Sequence, residues 1–200
     1  MLKSSITSRY IKPEKTRLCQ GDILRDISVY IDLPIPSSAE GELQTYDLPY
    51  CVVMTQDCDL TWDHHTRNPE QIEPPVNTNS NADDDKLVPT ILVCPAYQSD
   101  FFYTGDHVKG RKMRVFNRGD KEKLQKNEEN NRYHFLDGDT SLQIPDLVLD
   151  FKHFYTLPTE LLYPQLPSAY LATINELFRE RLSQRFANYL SRFGLPDIIK

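Results

Sequence analysis

Apolar and polar residues alternate through Ile27-Ser-Val-Tyr-Ile-Asp-Leu33, the two-residue period of a half-buried strand, launched from a turn at Cys19-Gln-Gly-Asp22. Pro34, Pro36, Ser37, Ser38 and Gly41 break the pattern as a loop, and Leu43 to Tyr46 predicts a short strand. Tyr50-Cys-Val-Val-Met54 is apolar on every side chain, as a central strand should be, and Thr90 to Tyr97 reads as its partner, stopped by Pro95. Arg132 to Leu136 and Leu147 to Phe151 predict two more strands around a hairpin-type turn at Asp137-Gly-Asp139. His153 and Tyr155 continue the alternation of the second. In the tail the period changes. Leu171, Ile174, Phe178, Leu182, Phe186, Tyr189 (or Leu190) and Phe193 form a helical stripe, opened by Pro167 and Ser168 and closed by Gly194.

Two stretches have no such period. Residues 61–88 are rich in Asn, Asp, Pro, Glu and Thr and read as an insertion loop. Residues 104–131 open on a turn at Thr104-Gly-Asp106 and carry most of the central basic charge, with Asp120 to Asn130 a solvated helix or ordered loop. The expected class is therefore α+β, mainly β: a small barrel with two polar insertions and a long C-terminal amphipathic helix. The expected division is a polar lead-in at 1–16, a barrel domain at 17–157 and a helical segment at 158–200.

Composition narrows the function. The chain has 200 residues and a net charge of -6, so wholesale phosphate binding is not the default, although a local basic patch is compatible with that balance. No apolar run is long enough to span a bilayer and the N-terminus has no secretory h-region, so a cytoplasmic location is expected. The four cysteines are spread singly with no CxxC, which favours free thiols; no metal or cofactor is expected.

The most reactive cluster is Thr55-Gln-Asp-Cys-Asp59, at the end of the central strand. Cys58 can be read as a nucleophile with His134 or His153 as base, but Asp57 and Asp59 would hold its thiol protonated. The same residues can be read as a ligand site or as a strand-end turn whose carboxylates accept backbone N–H groups. His64 and His65 lie in polar surroundings and read as solvated. Arg132 and His134 share one face of their strand, so with Arg111 and Arg114 they are candidates for holding phosphate, against the alternative of a wet face. Phe178, Leu182, Phe186, Tyr189 and Phe193 form either core or a docking surface for a partner protein or a second copy.

Gly21-Asp-Ile23 opening a strand, Pro49-Tyr-Cys-Val-Val-Met-Thr55, and Ile91-Leu-Val-Cys-Pro95 together resemble the MazF/PemK-like growth-inhibitor toxins. Ser141 to Phe151 and Leu157-Pro-Thr-Glu-Leu161 resemble that family's closing strand and first C-terminal helical turn. The resemblance covers about residues 20 to 162 with both insertions set aside. It implies an SH3-like barrel, commonly dimeric, in a family many of whose members cut single-stranded RNA without a metal. Thr55 matches the family's Ser/Thr at the strand end. Leu48 stands where the family has the arginine that stabilises charge on the phosphorane. The Gln-Asp-Cys-Asp stretch is similar to that of uncharacterised bacterial proteins with a QxCD motif. The resemblance therefore implies a binding module for a partner protein or nucleic acid, in a toxin–antitoxin or antiviral-defence setting. Its alternatives are a metal-independent endoribonuclease using Thr55 with Asp57, Asp59 or His134, and a metal- or thiol-dependent hydrolase centred on Cys58.

Overall fold

The computed structural model describes residues 8–32, 43–71, 84–128 and 131–192. Its centre is an eight-stranded sheet in the order β1-β8-β2-β3-β4-β6-β5, with β7 also paired to β4, and each pairing is antiparallel. The strands are β1 (Tyr10–Ile11), β2 (Asp22–Asp32), β3 (Leu43–Val53), β4 (Thr90–Gln98), β5 (Tyr133–Leu136), β6 (Leu147–Asp150), β7 (Tyr155–Pro158) and β8 (Tyr170–Ile174). The sheet is open: β1 and β5 end it and do not pair, so it does not close into the expected barrel. The coarser expectation, an α+β chain with an antiparallel sheet, matches the mixed architecture.

Among the described residues six α-helices flank the sheet: α1 (Asp57–Arg67), α2 (Ser99–Thr104), α3 (Arg118–Gln125), α4 (Thr159–Leu162), α5 (Leu166–Ala169) and α6 (Glu176–Leu190). Three apolar clusters result. On one face α6 lays Leu182 and Phe186 over Ile23, Val52, Cys94, Leu149 and Phe151. On the other face, α1, α4 and α5 cover β2, β3 and the start of β4 through Leu60, Leu162 and Leu166. Further along that same face, α2, α3 and the loop between them cover the end of β4 with β5 and β6, through Phe102, Phe116 and Leu124.

The long hairpin of β2 and β3 bends at one level. Leu24 and Cys51 face the second cluster, and so do Ile27 and Leu48, although an unbroken strand would send these pairs to opposite faces. The parity changes at Asp26, whose φ of 55° is left-handed, and at Pro49, which has no N–H for the ladder. The lead-in is tied down as well. Buried Asp22 takes Lys15 Nζ at 2.7 Å, the Thr173 hydroxyl at 2.7 Å and the Cys19 N–H at 2.8 Å.

The elements depart from the sequence expectation in two places. The segment after β3 is not a strand-end turn but an eleven-residue helix, α1, which takes up the start of the expected insertion loop at 61–88; residues 72–83 of that loop lie outside the described residues. The helical stripe drawn from Ser168 is really α5, then β8, with the long helix starting only at Glu176 after an Asn175 cap. Among the described residues no helix is long and apolar enough to cross a membrane.

Candidate nucleic-acid interface

The Thr55–Asp59 stretch forms the N-terminus of α1, and its groups are engaged in building it. The Thr55 hydroxyl accepts the Leu92 N–H at 2.7 Å, fixing the end of β3 to β4. Asp57 takes both terminal nitrogens of Arg17 at 3.2 Å and the Gln20 N–H at 3.2 Å. Partial burial opposes its ionisation, but the Arg17 hydrogen bonds and charge outweigh that and hold its carboxyl below the usual range. Cys58 and Asp59 point outward. The thiol lies 3.6 Å from Gln56 Oε1 and 3.5 Å from Asp59 Oδ1, so it faces oxygen acceptors rather than a base. Among the described residues no cluster of His, Cys, Asp and Glu has the spacing of a metal site.

His134 lies elsewhere, on edge strand β5, buried and stacked on Phe151 with ring centroids 6.3 Å apart. Burial, then Arg185 and Arg181, push its imidazole down to about 3, so it is neutral at physiological pH. The apolar stripe of α6 turns inward: Leu182 and Phe186 are core residues, with Phe178 and Tyr189 packed against them. Phe193 lies outside the described residues. Arg114 is bound to Asp120 at 2.6 Å and stacked over Phe116.

A different set of side chains converges on Asp150, in the seam between the two clusters on the face opposite α6. β4 explains why. β7 pairs with it from Thr90 to Val93 and β6 from Ala96 to Gln98, leaving Cys94 and Pro95 unpaired on that side. Proline has no N–H to donate there, and the chain between β6 and β7 makes a 3-10 turn, Phe151–His153, instead of continuing the ladder. Asp150, the last residue of β6, caps that turn by accepting the Lys152 N–H at 3.1 Å.

The Asp150 carboxylate is fully buried. Arg132 grips it with Nε at 2.8 Å and a terminal nitrogen at 2.6 Å, and His153 Nδ1 lies 3.1 Å away. These charge-assisted bonds raise the Arg132 pKa still further, so the guanidinium stays charged. For His153 burial is the largest influence and lowers the pKa; Asp150 opposes it but is already neutralised by Arg132. His107 is wedged between Tyr97 and Phe102, at 4.8 Å and 4.4 Å between ring centroids. Neither of its ring nitrogens makes a hydrogen bond of ordinary geometry, although the Phe101 carbonyl is near enough to favour protonation slightly. Burial dominates there too and lowers its pKa.

Three tyrosines complete the seam. Tyr46 and Tyr155 lie 6.4 Å apart between ring centroids, and Tyr97 reaches both, with its phenol next to Tyr46. Burial and then these neighbours raise the pKa of Tyr97 and of Tyr155, so both remain protonated donors. Arg111 is exposed on the loop between α2 and α3, near enough to His153 and Tyr155 for its charge to act on both.

Two of the three expected phosphate-binding arginines thus lie at this seam, Arg132 on Asp150 and Arg111 within electrostatic reach of His153 and Tyr155, while Arg114, His134 and the Thr55–Asp59 stretch are not part of this set. Asp150, His107, Tyr46 and Tyr97 were missed, and His153 was weighed only as a base for Cys58. One signal was available: Leu147-Val-Leu-Asp150 puts a carboxylate where the strand pattern calls for an apolar side chain, and a buried carboxylate demands partners. What the seam offers chemically is two imidazoles neutral at pH 7, phenol donors with flat faces, and guanidinium charge. No family model and no curated protein matches the chain.

Proposed function

We propose that the chain binds single-stranded RNA in the seam around Asp150. The observation that carries this reading is the placing of half-buried aromatic faces (Tyr46, Tyr155), backed by the buried Tyr97, beside the half-buried Arg132 and the exposed charge of Arg111. Stacking platforms beside a track for phosphate are what an unpaired strand requires. Exposed Lys109 and Lys112 flank Arg111 and extend the positive side, so a chain of net charge -6 still presents one local basic surface. The MazF/PemK-like resemblance supports the same ligand class. On this reading the sheet is an opened, elaborated relative of the SH3-like barrel, acting in a toxin–antitoxin or antiviral-defence setting.

The test is fluorescence anisotropy of a labelled single-stranded RNA titrated with the full chain at low salt. Saturable binding is expected. Tyr155→Ala should weaken it about tenfold or more, the worth of one stacked base. Arg111→Ala should weaken it and flatten its salt dependence. Absence of binding at tens of micromolar protein, or equal binding of duplex RNA, sinks the proposal.

A further inference from the structure

A cavity of about 150 Å³ opens beside the seam, lined by Pro49, Tyr97, Gln98, Phe101, Asp106 and His107. Tyr97 and His107 belong to both, so the cavity is a side pocket of the seam. Phe101 is 57% exposed at its rim, an unusual position for a phenylalanine and a ready stacking face. Asp106 is exposed, and among the described residues no cation pairs with it.

The turn that presents Asp106 is held in place. Gly105 ends α2 with a φ of 80°, its N–H on the Phe102 carbonyl at 3.2 Å, and Asp106 N–H follows on the Phe101 carbonyl at 3.0 Å. A Cβ on Gly105 would come within 2.6 Å of the Met113 carbonyl oxygen, so the turn also fits closely against the next loop. The Gln98 amide nitrogen lies 3.5 Å from the Tyr50 hydroxyl, a marginal contact that leaves it a hydrogen to donate elsewhere.

Resting on the RNA-binding reading, we infer that this side pocket receives one nucleobase of the bound strand and selects guanine. A carboxylate offers only acceptors. The guanine edge presents two adjacent donors, N1–H and the N2 amino group, which pair with Asp106, while O6 accepts from the Gln98 amide. Adenine presents a ring nitrogen lone pair beside its one amino group, and that lone pair faces the carboxylate. Cytosine has the same fault, and uracil has a single donor flanked by two carbonyls. Phe101 and the Tyr97 ring supply apolar and aromatic contact that any base can use, so selection falls to Asp106.

The test compares guanosine and adenosine 5′-monophosphate by calorimetry with the full chain, alongside anisotropy with a labelled oligouridylate. Guanosine monophosphate should bind at least about tenfold tighter than the adenosine form, the discrimination expected of one bidentate contact. Asp106→Asn, at an exposed position, should bring the two within about twofold while oligouridylate affinity stays unchanged. Phe101→Ala should weaken both nucleotides and leave their ratio. Equal binding of the two nucleotides by the native chain, or a ratio unchanged in Asp106→Asn, overturns the inference. Loss of oligouridylate binding alone, with the guanine preference intact, would instead sink the seam reading and leave the pocket standing.

Discussion

His134 shows how an ionisable side chain becomes part of a core. It sits on β5 against Phe151 with the Arg185 and Arg181 guanidinium groups of α6 nearby, and protonation would add a further positive charge among them without solvent. Its folded pKa of about 3 lies below the ordinary histidine value, so between pH 6.5 and 3 the unfolded chain holds a proton that the folded chain refuses. Stability therefore falls as pH drops through that window. From pH 6.5 to 5 this one group should cost on the order of 2 kcal/mol. His64, His107 and His153, also depressed by burial, add in the same direction. Urea unfolding of His134→Phe should show a pH slope shallower by about one proton than the native chain; an identical slope would remove His134 from the acid response.

Among the elements, α6 carries the clearest distinction between a docking face and a core face. Phe186 is 7% exposed and packs edge-on against Phe151 and Phe154, whereas Leu177 and Leu190 on the same helix are half exposed. Phe186→Ala should therefore lower the unfolding free energy by about 3–5 kcal/mol, and Leu190→Ala by less than about 1 kcal/mol. If chemical denaturation finds the two alike, the helix is not packed on the sheet in solution.

How far each element was legible depended on whether its buried face is apolar. Val52, Val53 and Val93 lie in strands buried on both faces and read directly from the chain. α1 did not, because its buried positions are Leu60, Asp63 and His64, the right spacing with mostly the wrong chemistry. Asp63 Oδ1 takes Arg67 at 2.9 Å, one helical turn on, and the Val88 N–H at 2.8 Å, a partner that only the tertiary structure reveals, while its Oδ2 makes no hydrogen bond. The start of α6 was misplaced because Leu171 and Ile174 suit a helical stripe as well as a strand, and Pro167 does open a helix, the short α5. The seam was illegible for a different reason: Tyr46, Tyr97, His107, Arg132 and Asp150 come from five separate segments that only the sheet order brings together.

Across the whole molecule, one sheet face is closed by a single helix and the other is covered by two separate clusters, and the seam exists because those clusters do not merge. Binding there should report on its charge. With Arg111 and the neighbouring Lys109 and Lys112 contacting phosphates, the logarithm of RNA affinity should fall with the logarithm of salt with a slope on the order of -2. Protonation of His107 and His153 lies below its ordinary range, so affinity should rise as pH is lowered from 7 towards 5. Anisotropy titrations over both variables check this. A salt slope near zero, or affinity falling with acidification before the fold is lost, would place the ligand elsewhere.

The unpaired stretch Cys94–Pro95 also marks where the two strands beside β4 fall out of step. β6 pairs Ala96 with Leu149 whereas β7 pairs Val93 with Tyr155, an offset of three residues that an N–H at position 95 would not remove. The turn that Asp150 caps takes up that offset, so the buried carboxylate and the histidine beside it are built into the register of the sheet.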